Sequence, residues 1–124
     1  MKTETKKLTQ EDLRKMTQDE RWGGFGYIGE KQGILNSLTE MHFTKENQES
    51  LIKETIHYMN QVDNTILEYA NENNWTYEKL FSWVNSKSGR HFANEMFMPQ
   101  DDLTYTDRWI RARNIYFKNF KETE

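Results

Sequence analysis

From Leu51 to Ala70, apolar or half-apolar side chains recur at intervals of three and four: Leu51, Ile52, Thr55, Ile56, Met59, Val62, Ile66, Tyr69 and Ala70. Advanced at about 100° per residue, they fall on one face of a helix. The pattern predicts a single helix over about 45–73, roughly 25–30 residues long. Thr44 is its candidate cap, and Asn71, Asn73 and Asn74 are poor helix formers that give it an end. Lys and Glu fill its other face. In a chain of 124 residues, a helix that long has to be the element around which the others pack.

Those other elements also read as helices. Thr9 begins a short one, with Asp12 at the capping-box position and Leu13 and Met16 as its apolar face. A second runs from about Glu30 to His42, placing Ile34, Leu35, Leu38, Met41 and His42 on one side. Thr76 caps a helix carrying Tyr77, Leu80, Phe81 and Val84, which Ser86-Lys87-Ser88-Gly89 breaks. The next runs from about Gly89 to Met98 and is stopped by Pro99. A last helix starts at Thr104 or Thr106 and continues to about Lys121, with Trp109, Ala112, Tyr116 and Phe120 as its stripe. No alternating strand pattern of useful length occurs. The expected fold is an all-α, single irregular helical domain of five or six helices around one long central helix. It spans 9–124, behind a frayed or disordered polar leader at 1–8.

Composition supports a folded chain and removes several functions. Charged residues make up 30%, but aromatics reach 14%, and each large ring buries about 150–250 Å². A net charge of −3 argues against a globally basic nucleic-acid binder and a strongly acidic mimic of DNA alike. With no cysteine there is no disulfide, thiolate metal site or thiol nucleophile. No apolar run is long enough to span a bilayer, and the N-terminus lacks a signal peptide's apolar stretch, so a soluble, cytoplasmic protein without membrane contact is expected.

Motifs for chemistry are weak. Gly24-Phe25-Gly26-Tyr27-Ile28-Gly29 fits G-x-G-x-x-G, but no strand precedes it and no βαβ unit can hold a dinucleotide. A turn between Gly23 and Gly29, using positive φ and tucking Trp22, Phe25, Tyr27 and Ile28 inward, is the expected role. A weaker anion site at the start of the second helix, with Lys31, is the alternative. Glu54 and His57 form one E-x-x-H without the second copy that a di-iron bundle needs, and they face away from the stripe. His91 and Glu95 are only two ligands. No metal, cofactor or catalytic residue is assigned. Asp63 sits at the stripe's edge and needs a partner if buried, and Arg113 is the candidate.

Two surfaces remain. On the last helix Arg108, Arg111, Lys118 and Lys121, with Asn114, lie opposite the apolar stripe, and Lys87, Ser88 and Arg90 form a small basic loop. Trp83 lies off the stripe of its helix, and Ile110 and Phe117 flank the last helix outside its main apolar arc. Such aromatics suit either a core or an interface, and apolar flanks are also compatible with a homodimer.

The Asn- and Lys-rich composition, small size and absence of cysteine resemble accessory proteins of phages and other mobile elements of AT-rich bacteria. The expected function is a non-enzymatic protein-binding accessory or inhibitor protein, acting on a bacterial defence or replication protein. A small DNA- or RNA-binding regulator using the basic face of the last helix is the alternative.

Overall fold

The computed structural model describes residues 7–21, 26–40, 45–98 and 101–120, and for 45–48 the backbone alone. Among these residues the chain is all-α with six helices. They are α1 (Gln10–Gln18), α2 (Gly26–Glu40), α3 (Lys45–Glu72), α4 (Tyr77–Val84), α5 (Lys87–Phe97) and α6 (Tyr105–Tyr116). None is long and apolar enough to cross a membrane.

Local chemistry sets most of the ends. Thr9 and Asp12 close a reciprocal capping box at α1, with the Thr9 N–H donating to Asp12 Oδ2 at 2.9 Å. Thr76, Ser86 and Thr104 cap α4, α5 and α6 through their hydroxyls. Ser86 is why α5 begins at Lys87, two residues before the expected start: the Ser-Lys-Ser-Gly run caps the helix as well as breaking the chain. The 28-residue α3 ends as the asparagines predict. Asn74 adopts a left-handed φ of 56°, and the Trp75 N–H donates to the Ala70 carbonyl at 2.8 Å. This hydrogen-bonded stop uses Asn where glycine is commoner. The expected cap Thr44, and Trp22, Phe25, Pro99 and Lys121, lie outside the described residues.

α2 starts at Gly26, four residues earlier than the apolar spacing suggested. Gly26 supplies the positive φ (76°) expected of the glycine segment, and Tyr27 and Ile28 are buried in the first turn after it. Of the expected leader at 1–8 only residues 7 and 8 are described, and Leu8 is not frayed. Leu8 is buried, and its backbone is held at both ends by the Asn71 amide, which accepts its N–H at 2.7 Å and donates to its carbonyl at 3.0 Å. An apolar side chain and a bidentate amide are enough to seat a segment whose composition reads as solvated.

The core sits along the second half of α3. Met59, Val62, Ile66, Leu67 and Ala70 are buried there, whereas Ile56, one turn earlier, is 43% exposed. Phe117 is the hub of an aromatic cluster. It stacks on Trp83 at 4.3 Å between centroids and meets Tyr69, Trp75, Phe92 and Trp109 within 6 Å.

Candidate partner-binding surface

The outer face of α6 is less basic than its sequence. Arg108 is buried, at 7% exposure, and its guanidinium donates to the Asp101 carbonyl (3.2 Å) and carboxylate (3.0 Å). Arg111 donates to the other oxygen of the same carboxylate at 2.7 Å and lies 3.8 Å from Glu95. Arg111 and then Arg108 hold the Asp101 carboxyl down at about 2, and Asp101 in turn raises the Arg111 guanidinium. The two arginines therefore tie the α5–α6 connection to α6. In the loop group, Arg90 pairs with Glu30 at 3.5 Å, while Lys87 is exposed at the first position of α5. Lys118 is exposed just beyond the end of α6 and forms no ion pair among the described residues.

Trp83 offers no surface contact. It is fully buried, and its indole N–H donates to the Tyr116 carbonyl at 2.9 Å. An eight-residue helix buried on more than one side has no solvent face for an off-stripe tryptophan to occupy. Phe117 is likewise interior, because α6 stops at Tyr116 and not near Lys121. The Phe117 N–H and the Lys118 N–H both return to the Arg113 carbonyl, and this tight turn swings the ring inward. What α6 does present outward is Ile110 at 40% exposure and Ile115 at 44%, with Arg111, Asn114 and Lys118 between and beside them.

The partner of Asp63 is not Arg113. Asp63 is buried and accepts from the Tyr27 hydroxyl and from Lys31 Nζ at 2.9 Å. Burial, reinforced by Asp63, pushes the Tyr27 phenol well above its usual value. The signal was present in the sequence: once α2 is started at Gly26, Tyr27 and Lys31 are four apart and share the inward face. Lys31 is therefore committed to Asp63. Arg113 is half-buried, and its Nε has no hydrogen-bond partner.

His91, Glu95 and Tyr116 are also engaged within the fold. His91 stacks on Tyr116 at 6.4 Å, and the Tyr116 hydroxyl donates to Glu95 at 3.0 Å. Burial and then Glu95 push that phenol up to about 12. Glu54 and His57 are exposed, as their helical phase predicted, and His42 lies outside the described residues. Among the described residues no three His, Asp or Glu side chains converge as a metal site.

The described residues line at least two grooves. One, of about 540 Å³, runs between Lys7–Gln10 and the face of α3 from Asn64 to Glu72. The other, of about 210 Å³, lies where α2, α3 and the end of α5 meet and is walled by Ile34, Leu51, Met59 and Phe97. Neither is lined by the Tyr27–Asp63–Lys31 cluster or by α6. The chain matches no family model, no curated protein and no solved structure.

Proposed function

We propose that this chain is a non-enzymatic accessory or inhibitor protein that docks the outer face of α6 onto an acidic surface of a protein partner. Its composition suits a small protein of a phage or mobile element acting on a bacterial defence or replication protein. The observation that carries the reading is the pair Ile110 and Ile115, each two-fifths or more exposed on α6, with Lys118 beside them and Arg111 held by Asp101. Apolar anchors with a charged margin are the usual make-up of a protein-binding patch. Completing the burial of each isoleucine contributes up to about 1.5 kcal/mol, and Lys118 adds rate and register.

The nucleic-acid reading is less well supported. Arg108, Arg111 and Arg90 each spend charge on a carboxylate of the same chain, which leaves Lys87 and Lys118, among the described candidates, to meet phosphates. Nucleic-acid binding draws on several such contacts and is steeply salt-dependent.

The test is affinity capture from a bacterial lysate with and without nuclease, comparing the native chain with Ile110→Asp, Ile115→Asp and Lys118→Glu. A stoichiometric protein that survives nuclease and is lost with the isoleucine variants, at unchanged melting temperature, is the expected result. Capture that vanishes with nuclease, or that ignores all three substitutions, overturns the proposal.

A further inference from the structure

The apolar stripe of α3 is continuous in sequence but covered over only part of its length. From Met59 to Ala70 the aromatic core and neighbouring helices bury it, whereas Leu51, Ile52 and Thr55 are half-exposed and Ile56 is open. The 210 Å³ groove sits at that boundary. It is smaller than the roughly 300–1,000 Å³ that encloses a small-molecule ligand, and its size fits an inserted side chain.

Among the described residues, the charged side chain that lines the groove is acidic. Glu54 lines it and has no ion-pair partner among the described residues. α5 points its C-terminal end at it through Phe97, and no basic residue stands in the last turn of α5 to offset the negative pole. The cations behind the groove are already held: Lys31 by Asp63, and Arg108 by Asp101. The Tyr58 hydroxyl on its wall is spent on the Met96 carbonyl at 2.7 Å, which leaves Glu54 as the groove's charged recognition group.

From this apolar floor and anionic rim we infer that the groove is a docking site for an amphipathic cationic helix or segment of a partner protein. One large apolar side chain enters between Ile34, Leu51, Met59 and Phe97, and a Lys or Arg within one helical turn of it meets Glu54 and the end of α5. This is the helix-in-groove mode of recognition. It uses a different face from α6 and does not depend on the reading of that helix.

The probe is a pair of blocked, labelled helical peptides with leucines at helical spacing, one flanked by lysines and one by glutamates. Anisotropy is read against the whole protein, and side-chain shifts are followed by NMR. The lysine peptide should bind more tightly, shifting the methyl groups of Ile34, Leu51 and Met59. Glu54→Lys, an exposed change that leaves the core alone, should weaken the lysine peptide and strengthen the glutamate one, each by about threefold to tenfold. Thr55→Trp, which fills the groove, should remove both, and Ile110→Asp should change neither. Equal affinity for the two peptides, indifference to Glu54→Lys, or a groove already closed by a second copy of the chain in sedimentation overturns the inference.

Discussion

Two helix pairs hold this molecule together by opposite means. α2 and α5 meet at glycines that press on the backbone at the end of α4. A Cβ on Gly26 of α2 would lie 2.1 Å from the Val84 carbonyl oxygen, and one on Gly89 of α5 would lie 2.4 Å from the Trp83 carbonyl and 3.4 Å from Tyr27 Cβ. The two helices run the same way, from this glycine contact through Glu30–Arg90 to Ile34 and Phe97 at the groove. α3 and α6 instead face each other across rings: Tyr58 on Tyr105 at 5.8 Å, and Tyr69 on Trp109 at 6.3 Å and on Phe117 at 4.9 Å. A close-packed interior can be filled either way. The two seams should fail differently, since one cannot accept atoms and the other cannot lose them.

The largest expected effect is on the ring-filled seam. Trp83→Ala removes a fully buried indole that stacks on Phe117 and leaves the Tyr116 carbonyl without its donor. Large-to-small changes of this kind cost about 3–5 kcal/mol, and a domain of this size has about 5–15 in all. Denaturant unfolding should show a loss near the top of that range, partly recovered by added indole, because the defect is a void. A loss under about 1 kcal/mol would mean that the aromatic cluster is loosely packed and the contrast between the seams is false.

The rings were the legible part of this fold, and the glycines were not. Aromatic and aliphatic positions announce burial by type and spacing, so α3 was readable almost to the residue, and the capping threonines fixed the starts of α1 and α4. Gly26 reads in sequence as part of a turn, and it has the positive φ expected there but is already the first residue of α2. Only the close pass of Asn85 shows that the helix must begin there, and with it the pairing of Tyr27 and Lys31 with Asp63. Phe117 and Trp83 suit either a core or an interface by sequence for a related reason, and the structure makes both interior. A helical wheel assumes that the helix continues and that one side faces water, whereas α6 stops at Tyr116 and α4 is enclosed. The face of α6 is less basic than its sequence because Asp101, which pairs with Arg108 and Arg111, lies outside that helix.

Gly89→Ala tests the other seam and should cost less, about 2 kcal/mol. Alanine gains up to about 1 kcal/mol of helix propensity over glycine, against about 1–3 or more for forcing a methyl into a filled space. The obstruction is the Trp83 carbonyl, part of the turn in which Ser86 caps α5, so it cannot rotate aside as a side chain would. Added indole should do nothing here. A variant as stable as the native chain would show that α5 can part from the end of α4 by a few tenths of an ångström, and that this close approach is not what seats α5.

The smallest effect concerns the polar tie at the entry to the ring-filled seam. Asp101 has its folded pKa depressed, from 3.8 to about 2, by Arg111 and Arg108. A depressed carboxylate contributes stability that is fully present above its unfolded pKa and is lost as the pH falls through the folded one. Melting temperatures of the native chain and Asp101→Asn should therefore differ at neutral pH and converge between pH 3.8 and about 2. Asp19, also held near 2 by Arg21, titrates in the same window in both proteins and cancels from the difference. Since the Asp101 tie is partly exposed, high salt should shrink the neutral-pH difference. A difference that persists unchanged to pH 2 would assign the tie to hydrogen-bond geometry rather than charge.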